Sequence, residues 1–303
     1  MRVEVEGGAP RVAALGALRD AMAALSTERA GERAQDLRAR LIAEIDGHLI
    51  LRATHPDSPV VVALAGPTGA GKSTLVNGLA RSVVSPAGAL RPTTRTPVLV
   101  HRPEDTRWFP GERRRVSAWD AVHPVVSHHL PQGVALLDTP DVDSARHGQH
   151  GYTGQLLATA DVWLFVTTAT RYADAIPWQT LRTAGGRRAD LAVVLDRVQM
   201  GATEAVGDDL RRLLDANGLE EAVLLVIPET SLNNGRLPDP AVAPVRTWLE
   251  GLATGRDTRE EALQRTLTGA MAALAEPLAV LESLVGGDRR LRQAMAAALG
   301  SPR

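Results

Sequence analysis

Apolar and polar positions alternate with three different rhythms along the 303-residue chain. From Val12 to about Leu51 the apolar side chains return every third or fourth residue: Leu15, Leu18, Met22 and Leu25, then Leu37, Leu41, Ile45 and Leu49. That spacing puts one face of a helix against a core, and Gly31 marks the break between two such helices. His55-Pro56-Asp57-Ser58-Pro59 follows as a linker, because its two prolines exclude helix.

From Val60 to about Gly251 the period changes. Val60 to Ala65, Pro97 to His101, Val134 to Asp138, Asp161 to Thr168, Leu191 to Asp196 and Ala222 to Ile227 are short apolar runs. Most are continuous, the pattern of strands covered on both faces of a parallel sheet. Helices are expected at Lys72 to Arg81, around Gln155, and at Ile176 to Gly185, Glu204 to Asn217 and Ala241 to Leu252. This alternation predicts an α/β fold with a doubly wound, mostly parallel sheet. Arg102 to Gln132 reads as an insertion anchored by Trp108, Phe109 and Trp119.

The third rhythm, from Asp257 to Arg303, is helical again. Leu263, Leu267, Met271, Leu274, Leu278, Leu281 and Leu284 form a seam that Pro277 should kink. The seam packs either on the α/β domain or with the N-terminal helices in a bundle or neck. The expected organisation is an N-terminal helical segment (1–56), an α/β domain (57–253) and a C-terminal helical segment (254–303) packed with the first.

Aromatics make up 3% of the chain against 44% hydrophobic residues, so the core must rest on Leu, Val and Ala. No cysteine is present, which excludes disulfides and thiolate metal sites. A net charge of −1 with interspersed signs gives no footprint for nucleic acid, and Arg113-Arg114-Arg115 is a short run expected on a solvated loop. Met1 to Pro10 lacks the apolar core of a signal peptide, and no window reads as a membrane span. The expected location is cytoplasmic, with attachment to a membrane surface or partner left open.

The candidate chemistry centres on the only lysine among 34 basic residues. Lys72 sits in Gly66-Pro67-Thr68-Gly69-Ala70-Gly71-Lys72-Ser73-Thr74, a complete G-x-x-x-x-G-K-[ST] phosphate loop between an apolar strand and a helix. Glycines let the backbone N–H groups turn inward around phosphates, and the helix N-terminus adds its positive dipole end. A compact ammonium reaches phosphate oxygens where the wide guanidinium fork would not fit. Ser73 is placed to ligate Mg²⁺, and Asp138, ending the run Val134-Ala135-Leu136-Leu137, is the acid that holds the same ion directly or through water.

Asp138-Thr139-Pro140 resembles the third motif of GTPases, with Asp141 where that motif has glycine. Thr94-Arg95-Thr96-Pro97 resembles the first switch of dynamin-like GTPases. Thr94 takes the place of the threonine that closes over Mg²⁺ and positions the attacking water, with Thr93 as near competitor. Where GTPases carry Asn-Lys-x-Asp to read guanine, this chain has Asp196-Arg197-Val198-Gln199. Asp196 could meet the base from a shifted register, with the stem of Arg197 along it; Glu229-Thr230-Ser231 would be the fifth motif. Together these motifs resemble the dynamin-like and Era-like GTPases from Pro59 to Gly251.

The resemblance implies GTP and Mg²⁺ as cofactors and GTP hydrolysis driving a mechanical or assembly switch. It implies Lys72, Thr94 and Asp138 as catalytic residues, and Ser73, Thr94 and Asp138 as metal ligands. A homodimer through the GTPase domain and a peripheral membrane or partner GTPase are the partners it suggests, with Arg91 and Arg95 as stabilising arginines. Rival readings are a phosphate-loop ATPase or kinase, and a degenerate nucleotide-binding module without hydrolysis. His128, His129, His147 and His150 are weaker candidates for a metal site.

Overall fold

The computed structural model describes residues 8–27, 30–55, 57–86, 96–109, 122–140, 160–174, 190–254 and 267–300, with Thr153, Leu156, Leu157, Trp178, Leu181, Arg182 and Gln264. These residues divide into two compact units. One gathers the described residues of 8–57 and 267–300, the other those of 58–266.

In the second unit, seven described strands form one sheet: β1 (Val60–Ala65), β2 (Val98–His101), β3 (His123–Val126), β4 (Val134–Asp138), β5 (Val162–Thr168), β6 (Asp190–Val198) and β7 (Val223–Pro228). Their order is β3-β2-β4-β1-β5-β6-β7. β4, β1, β5, β6 and β7 run parallel, while β2 is antiparallel to β4. The apolar runs are continuous because both faces are covered. Val60, Val62 and Leu64 pack with α4 (Lys72–Ala80) and α6 (Asp239–Thr254). Val61, Ala63 and Ala65 share the opposite core with Leu210 and Leu214 of α5 (Thr203–Ala216).

The stretch read as an insertion contains more regular structure than its sequence suggests. Pro103–Trp108 forms a 3-10 helix, and β3 adds an edge strand parallel to β2. Pro124 is tolerated in β3 because an edge strand needs donors on one side only. Phe109 does anchor this stretch, its ring 5.2 Å from that of buried His101. Trp119 and Arg113 to Arg115 lie outside the described residues.

The first unit joins the two ends of the chain. α1 (Gly8–Ala23), α2 (Glu32–Glu44), a π-helical turn (Ile45–Leu49) and α3 (Ile50–Thr54) come from the N-terminal side. Residues 267–273, α7 (Ala275–Leu284) and α8 (Arg289–Leu299) come from the C-terminal side. Leu15, Leu18, Met22, Leu41 and Ile45 share one apolar core with Leu267, Leu274, Leu278, Leu281 and Leu291. The helix breaks at Leu274, so that Pro277 falls in the first turn of α7, where its missing N–H costs nothing. Leu263 lies outside the described residues. Leu267–Leu284 reaches a mean hydropathy of 1.3, but Leu267, Leu274, Leu278 and Leu281 commit that apolar character to the shared core, and the helix is broken at Leu274.

Candidate functional site

The phosphate loop connects β1 to α4 through backbone that only glycine adopts readily. Gly66 has φ +144°, and a Cβ there would stand 2.1 Å from the Val166 carbonyl oxygen on β5. Gly69 and Gly71 have φ of +75° and +102°, also positive values that residues with a side chain rarely adopt. The Ala70 N–H donates to the Pro67 carbonyl at 3.1 Å, and the Leu75 N–H to that of Gly71 at 2.8 Å, where the helix takes over. Lys72 is 4% exposed. Its side chain curls back, donating from Nζ to the Gly66 carbonyl at 2.8 Å and the Pro67 carbonyl at 3.3 Å. The one lysine of the chain therefore lies inside the loop that its sequence predicted.

At the foot of the loop, Ser73 Oγ donates to Asp138 Oδ2 at 2.7 Å. The pairing follows from topology, since α4 opens after β1 and β4 lies beside β1. Thr139 fixes the end of β4 by donating from Oγ1 to the Leu64 carbonyl at 2.7 Å. A hydroxyl and a carboxylate in contact here are hard oxygen donors of the kind Mg²⁺ takes, and they fit such an ion beside bound phosphates. Ser85, which sequence reasoning passed over, donates to the same carboxylate. Its only signal was its place between α4 and the Thr-Arg-x-Pro stretch.

Beside the loop, the end of β6 departs from regular pairing between Leu195 and Val198. Arg197 takes φ +57° in this irregularity, and its guanidinium donates to the Gly69 carbonyl. Asp196 is 6% exposed, with Oδ2 2.6 Å from where a Cβ on Gly71 would stand. Burial pushes its carboxyl above the ordinary value of 3.8, while the Arg197 guanidinium and a backbone hydrogen bond pull it back. Its Oδ1 has no hydrogen-bond partner among the described residues.

Arg171, a second residue missed from sequence, donates from Nη1 to the Thr68 carbonyl at 2.8 Å and from Nε to Asp174 at 3.0 Å. Two guanidiniums thus clasp successive carbonyls of the loop. Gln199 is exposed past the end of β6, and the Glu229 N–H donates to the Val198 carbonyl at 2.8 Å. The first-switch and fifth-motif candidates therefore differ in how far they can be placed. Glu229, Thr230 and Ser231 follow β7 at the same end of the sheet as the loop, whereas Thr94, Thr93, Arg91 and Arg95 lie outside the described residues. So do Asp141, His147 and His150. Among the described residues no His, Asp and Glu side chains gather as a separate metal cluster.

Residues 61–196, just under half of the chain, match the family described as 50S ribosome-binding GTPase. No curated protein matches. Among solved structures, a bacterial dynamin from an oligomerised pair shares 13% identity over 93% of this chain and 58% of its own, with a TM-score of 0.46. Era from Aquifex aeolicus, bound to GDP and AlF4−, shares 23% identity over 56% of this chain and 51% of its own, with a TM-score of 0.41. Toc33 from Arabidopsis thaliana, with Mg²⁺ and GMPPNP, shares 13% over 80% and 98%, with a TM-score of 0.43. The chain spans 58% and 47% of the length of the first two bacterial dynamin chains it matches. The fold is that of the P-loop GTPases, and residues 61–196 are the part of the chain that matches one of their families.

Proposed function

We propose that the chain binds GTP with Mg²⁺ and hydrolyses it slowly, as a dynamin-like switch. The observation that carries this reading is Lys72, buried within a glycine loop at the start of a nine-residue helix. In this reading the loop N–H groups and the helix end bind the phosphates, and the Lys72 ammonium neutralises charge on the β- and γ-phosphate oxygens. Ser73 and Asp138 hold Mg²⁺, which when bound offsets the charge that develops on the transferring phosphoryl group. Hydrolysis of this kind needs positioning and electrostatics more than covalent help from the protein.

Neither the described loop (66–74) nor Asp138-Thr139-Pro140 contains a glutamine to orient water, which is why slow turnover is expected. A stabilising arginine is worth about 10³–10⁵ in rate. Arg171, already at Thr68, joins Arg91 and Arg95 as a candidate for that role. The switch role rests on the Thr94-Arg95-Thr96-Pro97 motif and on the first, helical unit.

One observation favours a second reading, a nucleotide-binding module without hydrolysis. Asp196 puts a carboxyl group against Gly71, where GTPases carry an amide. Phosphate release from GTP and from ATP, each beside a Lys72→Ala control, tests both readings. Release from GTP that Lys72→Ala abolishes is the expected result. Binding of GTP without any release would favour the second reading, and release from ATP alone would overturn both.

A further inference from the structure

Asp138 Oδ2 accepts two hydroxyls, Ser73 Oγ at 2.7 Å and Ser85 Oγ at 2.6 Å. All three residues are buried, with Ser85 1% and Asp138 0% exposed. Such short O–H···O contacts to a carboxylate belong to the stronger, charge-assisted class. Ser85 is not brought there by a helix or strand. Asn77, fully buried on α4, does it with three hydrogen bonds. Its Oδ1 accepts from the Val84 and Ser85 N–H groups at 2.9 Å each, and its Nδ2 donates to the Ser85 carbonyl at 2.9 Å. A buried serine whose only need was an acceptor could use a neighbouring carbonyl. This one is held on a carboxylate 53 residues away in sequence.

We propose that Ser85 is a positioning residue for the divalent cation, a role that rests on the Mg²⁺ site proposed above. A serine hydroxyl that donates its proton to Asp138 presents lone pairs, and only lone pairs, to a cation. That state of Ser73 depends on the orientation of the Asp138 carboxylate, which Ser85 fixes from a second direction. Without the Ser85 hydroxyl the carboxylate gains freedom to turn, and Ser73 loses its fixed acceptor. Groups that orient metal ligands in this way change metal affinity about 10–100-fold when removed.

The test uses the full chain, a fluorescent GDP analogue and Mg²⁺, and reads nucleotide dissociation rather than turnover. In the wild type, dissociation should slow as Mg²⁺ rises. In Ser85→Ala the Mg²⁺ concentration for half-maximal slowing should rise about 10–100-fold, with dissociation in EDTA unchanged and Ser85→Thr restoring the wild-type response. An unchanged Mg²⁺ midpoint in Ser85→Ala would overturn the proposal. So would an equal acceleration in EDTA and in Mg²⁺, which would mark Ser85 as a structural contact alone. If the alanine variant does not fold, Ser85→Cys, close in size but a weak donor, carries the same expectation. A wild type that binds the analogue but ignores Mg²⁺ would overturn the cation site itself, and the Ser85 proposal with it.

Discussion

At Gly66 and Asp196, single atoms decide what the site tolerates. A methyl group on Gly66 would meet the Val166 carbonyl oxygen at 2.1 Å, and its φ of +144° is hostile to any other residue. Gly66→Ala should therefore lower stability by about 3 kcal/mol or more, read as a drop in the urea midpoint. Asp196 acts through its charge. Its carboxyl titrates above the ordinary value because burial disfavours the anion. The folded protein thus holds a proton that the unfolded chain has released, so this group's contribution to stability falls as pH rises from about 4 through the raised value. Asp196→Asn should flatten that part of the pH profile and unfold at higher urea than the wild type at pH 8. A variant with the wild-type profile would show that Asp196 does not titrate in this window. The same burial commits Asp196 to the loop, so affinity for GTP over ATP should fall well short of the roughly 10⁴-fold that a site built on base hydrogen bonds achieves. Competition of ATP against bound fluorescent GDP measures it.

Among the elements, those with strong periodicity were legible from the chain and those held by single contacts were not. β1, β4 and β5 announced themselves as continuous apolar runs because both of their faces are buried. β3 did not, because His123-Pro124-Val125-Val126 is a four-residue edge strand, mostly exposed and carrying a proline. The phosphate loop was readable since its glycines answer to backbone geometry. Ser85 and Arg171 were not, since a serine or an arginine has no sequence pattern that says which distant oxygen it will reach. The terminal seams were readable from their leucine spacing, and Leu278 lies at their shared core with 0% exposure. Leu278→Ala should cost about 2–5 kcal/mol, seen as a lower unfolding midpoint, with the spread set by how far the neighbouring leucines collapse.

For the molecule as a whole, ligand binding and self-association make measurable claims. Mg²⁺ with GDP at about 100 times its dissociation constant should stabilise the fold by about 2.7 kcal/mol, and calorimetry with Lys72→Ala as control reads that shift. If an arginine is supplied across a dimer, turnover per chain should rise over a hundredfold range of protein concentration. Turnover that stays level would leave Arg171, within the chain, as the better candidate. A last consequence follows from the arginine-rich surface around a single buried ammonium. Apart from the α-amino group, Lys72 is the one amine the whole polypeptide offers to acylating reagents, and it lies 4% exposed behind the carbonyls of Gly66 and Pro67. Amine-directed labelling is therefore a one-residue assay of this protein: slow uptake of a single internal label, slower still with nucleotide bound, reports occupancy directly by mass spectrometry.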